Sequence, residues 1–264
     1  MKLAHAGMIA TGAVIVIGVA MIVPAFTQHQ GIDNRGMVML SFDISHAGDK
    51  AASWCKDLAS TLAAHKVVKA TVFVTGEIAE KSPECVTSFS SNTGFDVGSQ
   101  AYSYVDLVSL NNNYTRTLEE VQKGKESVDN AGNLNSRLFK APYGKTDENI
   151  YSLLTQAGIV ADFSYVNHYN KYEGGQFIKY DLKVLPGTED GFELFTIVSN
   201  DANFVPAYPQ EPVPLEITFD NSMEIKEIDK FLSELGTSPY NSKIRFVSAS
   251  DIAGLDLTAE RRLQ

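Results

Sequence analysis

"KATVFVTG", residues 69–76, is a run of β-branched and aromatic side chains that a glycine stops. Rich in β-branched residues, it predicts a strand. The chain on either side agrees. "KAASWCKDLASTLAAH", 50–65, sets Ala51, Trp54, Cys55, Leu58 and Leu62 at the spacing of one helical face. Before it, "VMLSFD", 38–43, is a nearly continuous apolar run ending in an acid, the signature of a strand buried on both faces as in parallel sheets. "SPECVTSF", 82–89, reads as a helix with Ser82 as cap and Pro83 in the first turn. Strand, helix, strand, helix is the rhythm of parallel βα units.

The alternation runs on. "FDVGSQ" (95–100) is a short strand, 115–132 a polar-faced helix, "RLFKAPYG" (137–144) a strand broken by Pro142, 147–158 a helix ended by Gly158, and "IVADFSYVN" (159–167) a strand. "FELFTIVSN" (192–200) and "PLEITFD" (214–220) read as further strands, 222–235 as a helix and "IRFVSASDI" (244–252) as the last strand. The fold expected is α/β, a distorted (β/α) barrel of about seven to eight parallel strands. Four prolines between Pro206 and Pro214 mark a loop.

From Gly7 to Phe26 the chain carries no charge and only Thr11 is polar, enough for one transmembrane helix, with a cleaved signal segment as the alternative. Lys2 precedes it, which favours an exported body. The organisation expected is an anchor or signal at 1–26, a linker at 27–36, the barrel at 37–254 and a tail at 255–264. A formal charge of −10 without clustered Lys or Arg argues against nucleic acid as partner. In an exported context the two cysteines, Cys55 and Cys85, are free to pair as a disulfide, with two unpaired thiols as the alternative.

In such a barrel chemistry gathers at the C-terminal ends of the strands. That selects Asp43, Gln100 with Tyr104, Pro142 with Tyr143, Asn167 with His168, Asp201 and Asp220. Tyr102, Tyr104, Tyr143, Tyr165, Tyr169 and Tyr172 form an aromatic set that suits packing at the mouth or a platform for sugar rings.

These stretches together resemble the polysaccharide deacetylases, the NodB-homology group of the carbohydrate esterases. "ATVFVTGEIAEKSPECV" (70–86) is similar to that family's strand–Gly–helix segment, "GSQAYSYVDL" (98–107) to its G-N-H-[ST]-x-S-H-x-x-L segment, and "FKAPYG" (139–144) to its F-R-x-P-Y-G. The resemblance implies a NodB-like barrel and a metal-dependent hydrolase, in which a divalent metal, often zinc, sits on one aspartate and two histidines and activates water. A second aspartate serves as base, a histidine as acid, and the backbone N–H of the P-Y-G tyrosine steadies the oxyanion.

Position by position, the base falls on Asp43 and the metal aspartate on Ile44, or on Ser45 where relatives set it one residue later. The two histidines fall on Gln100 and Tyr104, the arginine on Lys140, and the acid histidine on Phe219. Three metal ligands are therefore replaced by groups that bind zinc poorly. The resemblance thus implies Asp43, Lys140 and Tyr143 as the catalytic remnant and Gln100, Tyr102, Tyr104 and Pro142 as substrate contacts, with no metal. A rebuilt zinc or other divalent site on Asp43, His46 and His168, or Asp201 in its place, is the alternative.

Three readings of function follow. The first is a membrane-tethered, extracytoplasmic deacetylase-like domain that engages an N-acetylated envelope glycan with hydrolysis weak or lost. The others are an active carbohydrate deacetylase with unusual ligands and a cell-surface scaffold.

Overall fold

The computed structural model describes residues 33–257 apart from 47, 49, 111–112, 165–166 and 206–211. The expected membrane segment at 7–26, Tyr165 and much of the proline-rich loop lie outside the described residues. No helix among the described residues is long and apolar enough to cross a membrane.

In chain order the elements are β1 (Gly36–Ile44), α1 (Ala51–Ala64), β2 (Ala70–Val74), α2 (Gly76–Lys81), α3 (Glu84–Ser90), β3 (Phe95–Ser99) and α4 (Tyr114–Gly132). There follow β4 (Leu138–Phe139), α5 (Glu148–Gln156), β5 (Ala161–Asp162), β6 (His168–Glu173), β7 (Gln176–Asp181) and β8 (Lys183–Pro186). The last are α6 (Glu189–Ser199), β9 (Leu215–Asp220), α7 (Ile225–Thr237), β10 (Ile244–Phe246) and α8 (Ala249–Ala253). Caps set several of the helix starts. Asn113 accepts from the Arg116 N–H, Asp147 from the N–H groups of Asn149 and Ile150, and Glu224 with Glu227 forms a capping box.

The sheet runs β7-β6-β5-β4-β3-β2-β1-β9-β8. Val38 of β1 is in register with Leu215 on one edge and Phe246 on the other, so β10 shares an edge of β1 with β2. The two ends of the sheet are consecutive in the chain, separated by Leu182 alone. The Leu182 N–H bonds the Asn167 carbonyl on the β6 side, and the next N–H, of Lys183, bonds Pro214 on the β9 side. One extended segment thus bridges the seam of a nearly closed barrel.

Three expectations change, one of them in "IRFVSASDI", where Ile244–Phe246 alone is strand and Ala249–Ala253 is helix behind a Ser248–Asp251 capping box. β6 and β7 pair antiparallel, β6 also against β5, so the sheet is mixed. The turn between them is Gly174-Gly175, both at positive φ, a two-residue hairpin signal that parallel βα periodicity hides. "FELFTIVSN" is helical: it lies in α6, where Phe195 is fully buried while Leu194 and Ile197 are exposed, so its apolar face has period 3.6 and not 2.

The outer faces of β1, β2 and β9 pack on α1, α3, α6 and α7 through residues such as Val38, Leu40, Phe42, Leu58, Val86, Phe195, Phe219 and Phe231. The barrel interior holds Met39, Phe73, Leu138, Phe163, Tyr169 and Val247. Leu255 and Leu257, at the start of the expected tail, pack against that interior cluster. Cys55 on α1 and Cys85 on α3 form a disulfide, with Cα atoms 5.0 Å apart.

Candidate functional site

Strand alternation sorts the site residues before any chemistry does. On β9, Leu215, Ile217 and Phe219 join the outer core, which leaves Glu216, Thr218 and Asp220 for the barrel side. On β1, Val38, Leu40, Phe42 and Ile44 face outward, so Ser41 and Asp43 face in. Asp43 and Asp220 are register partners at the C-terminal ends of adjacent parallel strands. The ends of β1, β3, β4 and β9 surround a cavity of 250 Å³ whose walls include Asp43, Gln100, Tyr104, Lys140, Pro142 and Tyr143. His46, Asp220 and Ser45 also line it.

At the floor lies a buried charge cluster. The Lys140 ammonium sits 3.0 Å from Asp43 Oδ2 and 2.8 Å from Glu216 Oε1, and it donates to Thr218 Oγ1 at 2.9 Å and Ser41 Oγ at 3.3 Å. Burial pushes the Lys140 pKa down, but the carboxylates of Asp43 and Glu216 outweigh it and hold the ammonium above the ordinary lysine range. Burial raises the pKa of Glu216 against the pull of Lys140. Asp43 is thereby oriented by an ammonium where the family pattern has a guanidinium.

The Pro142-Tyr143-Gly144 turn forms one wall. Tyr143 adopts φ 60°, a left-handed conformation that is strained for a side chain of its size. A network below supports the turn: the Ala141 N–H donates to Ser164 Oγ at 2.8 Å, and Ser164 donates in turn to Asp162. Asp162, fully buried, also accepts from Thr146 at 2.8 Å. Burial raises its pKa to about 6 against the opposing hydrogen bonds from Ser164 and Thr146.

The rim is aromatic. Tyr104 lies between His46 and Tyr143, its ring tilted against both with centroids 5.2 and 4.4 Å away, and both tyrosines are partly exposed. Burial, then Tyr143, Asp220 and Asp43, push the Tyr104 pKa up. Asn221 fixes the loop beneath, its Oδ1 accepting from the N–H groups of Ser45 and His46 at 3.1 and 2.9 Å. Gly124 lets α4 approach the strand end that carries Gln100, since a Cβ there would lie 2.3 Å from the Gln100 carbonyl oxygen.

Several expected site residues lie elsewhere. Tyr102 points away from the cavity, its hydroxyl on Glu80 at 2.9 Å and its ring under the Lys123 ammonium. His168 pairs with Asp181 in the β6–β7 hairpin and does not line the cavity, so Asp43, His46 and His168 do not converge on a metal. Asn167 is likewise outside the cavity. Asp201 follows a helix instead of a strand and pairs with Lys183, which lies beside Leu215 at the opposite end of β9. Phe219 is stacked on Phe42 in the outer core, so alternation excludes it from the acid position. Of the aromatic set, Tyr169 stacks on Phe163 and Tyr180 and Tyr172 packs edge-on to Phe177. Glu216, Thr218, Asp162 and Ser164 escaped the sequence reading. For Glu216 a signal existed, an acid at an inward position of an otherwise apolar strand.

Residues 30–161 match the family described as polysaccharide deacetylase. The chain belongs to that family. Among curated proteins none matches it. Solved structures of similar fold include the Bc1960 peptidoglycan N-acetylglucosamine deacetylase, at 19% identity over 85% of this chain and 91% of that one, with a TM-score of 0.58. The peptidoglycan deacetylase PdaC from Bacillus subtilis is 17% identical over 87% and 95%, with a TM-score of 0.54. A family 4 carbohydrate esterase pseudoenzyme from Bacillus anthracis is 12% identical over 84% and 66%, also with a TM-score of 0.54. At these identities the likeness is one of fold.

Polysaccharide deacetylases usually depend on a metal, and the donors present here do not fit one. Ile44 faces the outer core, and the next residue that lines the cavity is Ser45. Gln100 and Tyr104 offer a neutral amide and a phenol, poor partners for a divalent cation beside imidazole or carboxylate. Among the described residues no three His, Cys, Asp or Glu side chains form a metal-holding group.

Proposed function

We propose that this polysaccharide deacetylase-like domain is tethered to the membrane by its N-terminal segment, lies outside the cytoplasm, and engages an N-acetylated or related envelope glycan with hydrolysis weak or lost. One observation carries the reading: the cavity keeps the oriented Asp43 and the Tyr143 turn, while Gln100 and Tyr104 stand where a metal's imidazoles would. A polar floor under two tyrosine faces suits a sugar ring, which presents apolar faces and hydroxyls together. The Cys55–Cys85 disulfide is in keeping with an oxidising compartment.

The test restores the metal ligands at positions that face the cavity. Ser45→Asp with Gln100→His and Tyr104→His is expected to bind zinc stoichiometrically by elemental analysis, and the unaltered full chain is not. The change at residue 45 is preferred to one at Ile44, where a carboxylate would be buried in the outer core. Stoichiometric zinc in the unaltered chain would overturn the reading. A second reading, an active amidohydrolase, draws support from the left-handed Tyr143 beside Asp43. Acetate released from N-acetylated oligomers, and abolished by Asp43→Ala, would establish it.

A further inference from the structure

The cavity is short of donors and long on negative charge. Asp43, Glu216 and Asp220 line it against the single ammonium of Lys140, which is already shared among Asp43, Glu216, Thr218 and Ser41. Three lining side chains retain a buried acceptor without a donor among the described residues: Oδ1 of Asp43, Oε2 of Glu216 and Oε1 of Gln100, the last on a residue only 2% exposed. Buried acceptors are normally satisfied, so such a set marks a place for a partner that brings N–H or O–H groups.

Charge narrows the choice. An anionic ligand would meet Asp43 and Asp220 and be repelled. An acetamide would bring a single N–H, and its carbonyl would add an acceptor to a wall already rich in them. A protonated primary amine on a sugar ring brings three donors and a positive charge, while its ring face rests on Tyr104 and Tyr143, whose π-faces attract cations. The raised pKa of Tyr104, caused in part by Asp220 and Asp43, is in keeping with a negative field reaching the rim.

We propose that the cavity recognises the free ammonium of a 2-amino sugar, the N-deacetylated form of an envelope glycan unit, in preference to its N-acetylated form. This rests on the glycan-binding reading above and assigns the retained frame to reading deacetylated units instead of making them. The probes are a glucosamine tetramer and an N-acetylglucosamine tetramer, titrated calorimetrically into the full chain at a pH that keeps the amine protonated.

The glucosamine tetramer is expected to bind about tenfold more tightly or better, with the preference shrinking as salt rises. Asp220→Asn, at the solvent-facing side of the cavity, is expected to reduce the preference without loss of folding by circular dichroism, and Asp43→Asn to reduce it further. Equal or tighter binding of the acetylated tetramer overturns this inference and leaves the glycan reading standing. Silence with both overturns the two together. A preference that survives both substitutions, or zinc chloride that competes stoichiometrically for the cavity, overturns the assignment to an ammonium.

Discussion

In the throat of the barrel, Lys140 is enclosed by Asp43, Glu216, Thr218 and Ser41. One layer above, Tyr104 and Tyr143 lie half open to solvent, with His46 tilted against Tyr104. The throat keeps the family's logic of a cation orienting a carboxylate. Above it the imidazoles of the family pattern give way to a buried amide, Gln100, and at the rim to a phenol, Tyr104. The difference is one of what each layer is coupled to. A charge in the throat holds other buried charges, so losing it leaves them unpaired. A side chain at the rim has water on one face, so replacing it costs the fold little. Chemistry at the rim is free to drift while the throat is held by stability.

The largest effect expected from this contrast is on Lys140→Met. It keeps the stem but leaves Asp43 and Glu216 facing each other without a cation, and unfolding in urea should show a loss of about 3–5 kcal/mol. A loss below about 1 kcal/mol would mean that the throat is no more coupled to the fold than a surface site.

Next is the support beneath the Tyr143 turn. The folded pKa of Asp162, about 6, lies above its ordinary 3.8, so the native state holds the proton more tightly than the unfolded chain. Its contribution is full below about pH 4 and is lost as pH rises through about 6, a change on the order of 3 kcal/mol. Asp162→Asn cannot titrate. The stability difference between wild type and this variant should therefore shift by about that amount, against the wild type, between about pH 4 and about pH 7. A difference that stays flat would show that Asp162 is ionised throughout and that the turn rests on a charge.

Much of the contrast was written in the sequence, and what was missing follows from periodicity. The strands around Asp43, Phe73 and Gln100 could be read because continuous apolar runs between amphipathic helices leave few other folds open. α6 could not, since Phe192, Phe195 and Val198 fit a helix face while the run around them also fits a buried strand. The rim residues Tyr104 and Tyr143 follow strands and were found, yet Tyr102 follows the same strand and turns outward to Glu80. Loop residues carry no alternation to sort them. The throat was half visible: Asp43 and Lys140 lie in family motifs, but Glu216 acquires meaning only when β9 lies beside β1 and aims it at Lys140.

The smallest effect on stability, and the sharpest on function, is expected for Tyr104→Ala. Tyr104 is 37% exposed and its ring touches other rim rings, not the outer core, so its removal leaves no sealed void. Unfolding in urea should change by no more than about 0.5–1 kcal/mol, most of it the lost ring contact with Tyr143. Glycan affinity should respond otherwise, because the ring supplies the apolar face on which a sugar would lie, and a loss of about 1–2 kcal/mol by calorimetry is expected from an aromatic anchor of that kind. The two measurements together separate the layers. If Tyr104→Ala costs as much stability as Lys140→Met, the rim belongs to the fold after all. If it leaves both stability and binding unchanged, the aromatic ledge is packing alone, and a glycan would have to be held by the polar throat without it.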